Sequence, residues 1–220
     1  MAAVVIPAYN AEATIGSLLG SLPAVIEKES VVVVDDGSSD NTGFIASEWG
    51  AVVIRHDVNQ GKGAALRTGI DYVLRSKVAE SVITMDADLQ HNPAEIPQFL
   101  SRGERGGVDM IVGYRKRLGS GMPIHRVLSN VITSSLVSAR TGMAIRDSQS
   151  GYRWISTKVL QEITIESDGY EAETEMLIKA ARKGFRIDFV PIATIYGNER
   201  SHMTHWKTTM RFLRVLMKEY

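Results

Sequence analysis

The chain has 220 residues, with 25 Lys plus Arg against 25 Asp plus Glu and no cysteine. That length suits one domain with a sizeable core. The balanced charge offers no field for nucleic acid, and the lack of cysteine excludes disulfides and thiolate zinc sites, in keeping with a cytoplasmic protein. No window reaches the roughly 18 apolar residues that a membrane span needs. The first residues run into an apolar strand without the basic region of a signal peptide.

In chain order, residues 2–6 read as a buried strand that Pro7 stops, and 13–22 as a short helix closed by Pro23. A second strand over 31–34 meets a run of turn and capping residues, Asp35 to Asp40. Asp40 or Asn41 caps a helix reaching Trp49, and Gly50 ends it. A third strand occupies 51–55. Beyond Gly61 and Gly63, Leu66, Ile70, Val73 and Leu74 recur at helical spacing. A fourth strand ends in Asp86, a helix opens at Pro93, and a fifth strand covers 109–112. Helices are expected over 124–140, 171–183 and 204–220, with strands over 152–155 and 186–192. Strands alternating with helices predict an α/β domain built on a mainly parallel sheet covered on both faces. Residues 1–112 form the expected nucleotide-binding half and 113–202 an acceptor half. Residues 203–220 form a basic amphipathic helix.

The fourth strand stops at two carboxylates, Asp86 and Asp88, with Ala87 between them and Gln90 just beyond. Burying two like charges is costly without a counter-ion. A divalent cation would supply it, and oxygen ligands of this kind suit Mg²⁺ or Mn²⁺ held jointly with phosphates. An ordinary strand-to-helix turn, capped by Asp88 or Asn92, explains the same residues. Tyr9-Asn10, Asp35-Asp36, residues 59–63, 86–90 and 113–115 all fall after strands, where open α/β sheets bind ligands. Tyr9 offers a ring, the acids can hold a base or ribose, and the glycines let backbone N–H groups approach phosphate. Gly61-Lys62-Gly63 lacks the remaining residues of a P-loop, and His202 with His205 lacks a third zinc ligand.

In order, Pro7-Ala8-Tyr9-Asn10, Val34-Asp35-Asp36-Gly37-Ser38-Ser39-Asp40, Asn59-Gln60-Gly61-Lys62-Gly63 and Met85-Asp86-Ala87-Asp88-Leu89-Gln90 resemble the motifs of family 2 glycosyltransferases. Gly113-Tyr114-Arg115, Asp147 to Arg153 and Gly169-Tyr170-Glu171 extend the resemblance over nearly the whole chain. Within that family the chain is similar to the dolichyl-phosphate mannose synthases and related polyprenyl-phosphate transferases. The resemblance implies a GT-A fold and a nucleotide-sugar donor, with mannose or glucose as the expected sugar. It implies that Pro7, Tyr9, Asn10 and Asp35 bind the donor. It makes Asp86, Asp88 and Gln90 the metal site, with Ala87 and His202 beside the donor. Arg115, Arg126 and Ser129 would hold the acceptor phosphate, and Asp88, Arg115 and Arg126 would carry catalysis. Two departures leave the base and the sugar open. Ala11 precedes Glu12 where the family has Glu directly, and Tyr196 and Ser201-His202 replace an Arg and a Ser-Lys pair.

A lipid phosphate is already an anion near neutral pH and needs no base, whereas a saccharide hydroxyl must lose a proton. Asp168, Glu171 and Glu173 are the candidate bases for the saccharide alternative, although acids in a first helical turn also serve the dipole. A catalytically silent sugar-nucleotide sensor is the alternative from another class. Val127, Leu128, Val131, Ile132 and Leu136 suit either core or a groove for a prenyl chain. Trp206, Met210, Leu213 and Met217 run beside Lys207, Arg211, Arg214 and Lys218. Such a helix either lies on an anionic membrane surface or docks on the domain with a solvated basic edge. The expected location is the cytoplasmic face of a membrane, as a peripheral protein.

Overall fold

The computed structural model describes residues 1–115, 124–193 and 205–220, apart from the side chains of 124–126 and 205–208. The strands are β1 (Ala2–Ala8), β2 (Val31–Asp35), β3 (Val52–Arg55), β4 (Ser81–Thr84), β5 (Met110–Arg115), β6 (Arg153–Ser156) and β7 (Ile187–Ile192). The helices are α1 (Glu12–Gly20), α2 (Thr42–Trp49), α3 (Lys62–Ser76), α4 (Ile96–Glu104), α5 (Ile124–Thr141), α6 (Thr157–Glu162), α7 (Ala172–Arg182) and α8 (His205–Met217). The strands form one sheet in the order β3-β2-β1-β4-β6-β5-β7.

Alternation along β1 shows why the sheet is covered on both faces. Ala3 and Val5 point into a core with Leu66, Ile70 and Val73 of α3, Val137 of α5, Met176 of α7 and Val215 of α8. Val4 and Ile6 point into the opposite core, with Ile15, Leu18 and Leu19 of α1, Ala46 of α2 and Phe99 of α4. A strand buried on both faces reads as the continuous apolar run seen in the sequence.

The sheet is mainly parallel, as expected, with one antiparallel member that the alternation of elements did not show. β6 runs antiparallel to both β4 and β5, while the other pairs are parallel. After α5 the chain re-enters at the end where β5 stops, because Asp147 is tied to Arg115 and the Gly151 carbonyl to Thr84. It can only leave that end by running down the sheet. Consequently the C-terminal ends of β1, β2, β3, β4 and β5 and the start of β6 gather at one edge.

Two further boundaries differ from expectation for local reasons. Pro7 lies inside β1, because β4 pairs only as far as Val5 and asks nothing of the residue-7 nitrogen. β4 ends at Thr84, whose hydroxyl donates to the Gly151 carbonyl at 2.7 Å, so Asp86 lies past the ladder. Its acids are therefore loop residues, and the burial of like charges inside a strand never arises.

Candidate active site

The loop after β1 and the loop after β2 are built as one unit. Asn10 takes a left-handed φ of 49°, which its short polar side chain tolerates. Its amide donates to Ser38 Oγ at 2.9 Å, and its side-chain oxygen accepts from the Ser39 N–H at 2.8 Å. The Ala11 N–H donates to Thr42 Oγ1 at 2.8 Å. Glu12, displaced by one from the family position, accepts from the Asn41 N–H and side-chain amide at 3.1 and 3.0 Å. Tyr9 is left 52% exposed at the rim, with a ring face available for stacking.

The paired acids of the second motif divide their work. Asp35 is fully buried; it accepts from the Ser38 N–H at 2.9 Å, and Arg55 stands 3.0 Å from its other oxygen. Asp36 accepts from the Gln60 and Gly61 N–H groups at 2.9 and 2.8 Å and meets His56 Nδ1 at 2.7 Å. The Gly63 N–H donates to the Asp168 carbonyl at 2.7 Å. These backbone donors, expected to face phosphate, hold the loop instead. The glycines are required by close backbone approach: a Cβ on Gly63 would lie 2.1 Å from the Ser167 carbonyl, and one on Gly61 2.4 Å from that of Asp168.

The fourth-strand motif makes a sharp turn. Leu89 has a φ of 62°, and Asp88 Oδ1 accepts from the Gln90 N–H at 3.0 Å, leaving the half-buried Asp88 carboxylate at the edge. The Asp86 N–H donates to His91 Nδ1 at 3.1 Å. Burial pushes the His91 imidazole down to about 4, so it is a neutral acceptor there at pH 7. Asp86 Oδ1 meets Lys62 Nζ at 2.5 Å, and the same ammonium meets Glu173 Oε1 at 2.6 Å. Burial alone would raise the Asp86 carboxyl, but the charge and hydrogen bond of Lys62, with further help from neighbours including Arg115, together hold the group below its ordinary value. Glu173 moves the other way, raised by burial with Asp86 adding to it.

Among the described residues, no three His, Cys, Asp or Glu side chains form a ready-made metal cluster. The residues nevertheless fit a hard divalent cation. Asp86 already faces a positive charge, Asp88 is accessible, and both are oxygen donors. Mg²⁺ and Mn²⁺ are commonly held by one or two carboxylates with phosphates and water completing the shell.

At the end of β5, Arg115 is held in a fork. Its Nε and Nη2 donate to the two Asp147 oxygens at 2.8 and 3.0 Å, and Asn130 of α5 donates to Asp147 at 2.6 Å. Asp147 is buried, which alone would raise its carboxyl, yet Arg115 and Asn130 keep it low and ionised. Arg153, fully buried at the start of β6, donates to the carbonyls of Ser150, Glu173 and Ser148 at 2.8, 2.5 and 3.2 Å.

α5 is inverted relative to an ordinary surface helix. Asn130 and Ser134 face inward with Val137, and Ser134 Oγ accepts from the Ser148 N–H at 3.1 Å. Leu128, Ile132 and Leu136, one turn apart, are 58%, 50% and 40% exposed. The core reading of this apolar set fails for these three residues. α8 packs Phe212, Val215 and Leu216 inward and leaves Met210 and Met217 exposed. Arg140 of α5 donates to the Leu216 and Lys218 carbonyls, fastening the two helices.

Pro7, Tyr9, Asn10, Asp35, Asp86, Ala87, Asp88, Gln90 and Arg115 thus gather at one edge of the sheet. Ser129 is exposed on α5, three residues after Arg126, whose side chain lies outside the described residues, as does His202. Of the three candidate bases, Asp168 is exposed and paired with Arg67, Glu171 is buried, and Glu173 is buried against Lys62. Sequence reasoning missed Lys62 and Arg153. The one available signal was a charged residue inside an otherwise apolar strand or at a glycine-flanked helix start.

The model of the glycosyl transferase family 2 matches residues 3–164. An uncharacterised protein of Methanocaldococcus jannaschii is 38% identical over 88% of this chain and 81% of its own length. The UDP-N-acetylglucosamine–dolichyl-phosphate N-acetylglucosaminyltransferase of Methanococcus voltae is 30% identical over 88% of this chain and 85% of its own. The undecaprenyl-phosphate mannosyltransferase of Micrococcus luteus is 30% identical over 87% and 82%. In fold, the chain is similar to glucosyl-3-phosphoglycerate synthase from Mycobacterium tuberculosis, crystallised with Mn²⁺, UDP and glucosyl-3-phosphoglycerate. The TM-score is 0.79, with 99% of this chain and 78% of that one covered at 22% identity. By sequence and by fold, the chain belongs to glycosyl transferase family 2 and is a glycosyltransferase of the GT-A type.

Proposed function

We propose that the protein moves a hexose, with mannose or glucose the first candidates, from a nucleoside-diphosphate sugar to a polyprenyl phosphate with inversion. The observation that carries this reading is the placing of Arg115 beside a helix that turns Asn130 and Ser134 inward and leaves Leu128, Ile132 and Leu136 exposed. The relatives named for dolichyl-phosphate and undecaprenyl-phosphate transfer support the same acceptor class.

Residues 1–112 then serve the donor: Tyr9 stacks on the base, with Asp35 at the floor of the nucleotide site. Asp86, Asp88 and Gln90 would hold the Mg²⁺ or Mn²⁺, which when bound supplies charge stabilisation to the leaving diphosphate. Arg115, oriented by Asp147, holds the acceptor phosphate together with Arg126 and Ser129. A phosphate oxygen bonds to the anomeric carbon as the bond to the diphosphate breaks, and no proton has to be removed. Removal of water and fixed orientation of the two phosphates are what these residues contribute. The burial of Glu171 and the pairing of Glu173 with Lys62 weigh against a hydroxyl acceptor.

Leu128, Ile132, Leu136, Met210 and Met217, with Arg214 and Lys218 exposed on the same helix pair, fit the acyl boundary of an anionic bilayer. This exposed apolar and basic face is our reason to place the protein on a membrane surface; among the described residues no helix is long and apolar enough to cross a membrane. The test is transfer of labelled sugar from a panel of nucleotide sugars to polyprenyl phosphate, with Mn²⁺ or with chelator. Metal-dependent label in the organic phase supports the reading and names the donor. Label confined to an aqueous saccharide would transfer the assignment to hydroxyl glycosylation.

A further inference from the structure

Lys62 has no role in the site as described so far, yet it sits at its centre. Its ammonium touches Asp86 Oδ1 at 2.5 Å and Glu173 Oε1 at 2.6 Å, joining the starts of α3 and α7 to the loop after β4. Gly151 packs against the group from one side. A Cβ built on Gly151 would lie 2.6 Å from Glu173 Oε1, 3.0 Å from Lys62 Nζ and 3.1 Å from Asp86 Oδ1. The ammonium occupies the inner side of that oxygen, while the Asp86 side chain keeps 26% of its surface exposed.

A lysine between two acids is by itself an ordinary buried ion network. Its particular place gives it a consequence. Asp86 is one of the two carboxylates that fit a divalent ion, and a resident ammonium repels any such ion approaching it. A nucleoside diphosphate changes the balance, since its oxygens bring negative charge that both cations can share. We infer that Lys62 is a resident counter-cation that makes metal binding at Asp86 and Asp88 contingent on the donor diphosphate. It is a positioning residue, acting on the metal site through Asp86. Glu173 gives the ammonium a second anchor, so Lys62 can yield Asp86 without entering solvent. This inference rests on the metal reading of Asp86 and Asp88.

The experiment titrates Mn²⁺ into the full chain by electron paramagnetic resonance, with and without UDP or GDP. Wild type, Lys62→Met and Asp88→Ala are compared. Lys62→Met is expected to bind Mn²⁺ alone roughly tenfold tighter than wild type and to lose most of the tightening that nucleotide gives, a size usual for coupled sites. A purely structural lysine would lower the melting temperature without that gain. Unchanged or weaker Mn²⁺ binding by Lys62→Met, with wild-type binding still sensitive to Asp88→Ala, overturns the inference alone. Wild-type binding indifferent to Asp88→Ala overturns the metal reading and the inference together. Should Lys62→Met fail to fold, the wild-type Lys62 ammonium is followed by ¹⁵N NMR, assigned with Lys62→Arg. Its signal is expected to shift when Mg²⁺ and nucleoside diphosphate are added together, and a signal unmoved by both overturns the inference.

Discussion

Around β1, β2 and β3 the loops are fastened by backbone N–H groups on short side chains: Asn10 with Ser38 and Ser39, Asp36 with Gln60 and Gly61. Around β5 and β6 long charged side chains fasten one another or span several carbonyls: Arg115 with Asp147, and Arg153 with three backbone oxygens. The first kind of lock uses short side chains and leaves Tyr9 exposed at the rim. The second uses long cationic side chains, fixing Arg115 at the end of β5 and burying Arg153 at the start of β6. In the proposed function each half serves a different substrate, and each should fail differently when its locks are removed.

The largest effect is expected at the meeting point of the two. Asp88→Ala should lower transfer by about 10²–10³, the size seen when one charge-stabilising group is removed. Because Asp88 is half-buried and accepts one backbone hydrogen bond, the melting temperature should barely change. Next comes the charged lock. Arg153→Met leaves the Ser148, Ser150 and Glu173 carbonyls without their donor and should destabilise the fold by about 3–5 kcal/mol in urea titration. A loss below about 1 kcal/mol would mean that the arginine is replaceable by packing alone. In the donor-side loops, Ser38→Ala removes one hydrogen bond to Asn10 and should cost only about 1 kcal/mol.

The outward face of α5 comes third. Ile132→Asp should weaken binding to vesicles containing anionic lipid, measured by co-sedimentation, by roughly tenfold for the loss of one buried aliphatic side chain. Its melting temperature in the absence of lipid should hold, because Ile132 is exposed. Equal vesicle binding by variant and wild type would separate this face from the membrane.

The smallest effect concerns the seat of α8. Glu166 accepts from Lys179 at 2.7 Å and from Lys218, and these bonds pull its carboxyl down to about 2. A depressed carboxyl contributes stability that is complete above its unfolded value near 4.5 and is lost as pH falls toward 2. Glu166→Gln should therefore lower stability by less than about 1 kcal/mol at pH 7, since the pair is solvent-exposed. Denaturant midpoints should show that gap closing as pH drops from 4.5 toward 2.

The donor loops were legible because each motif is contiguous: Tyr9-Asn10, Asp35-Asp36 and Asp86-Ala87-Asp88 appear in sequence as they appear at the sheet edge. The antiparallel course of β6 was not, since four residues carry no mark of direction and only the ties of Asp147 and Gly151 set it. Periodicity found the apolar stripe of α5 but could not tell which side the sheet would cover. The pairing of Asn130 and Ser134 with Asp147 and Ser148 decides that. Lys62 was dismissed with the incomplete phosphate-loop motif, because its partners lie on two other elements. Phosphate-facing N–H groups at Gly61 and Gly63 were expected, but Asp36 and Asp168 take them.

The acceptor is the central claim, and one comparison tests it most directly. Wild type and Arg115→Ala are given the same nucleotide sugar with either polyprenyl phosphate or the corresponding polyprenol, and lipid-linked label is counted. The phosphate is expected to accept sugar and the alcohol to accept none, with Arg115→Ala losing about 10² or more of the transfer. Equal labelling of the alcohol, or full activity without Arg115, would contradict a phosphate acceptor held at the end of β5.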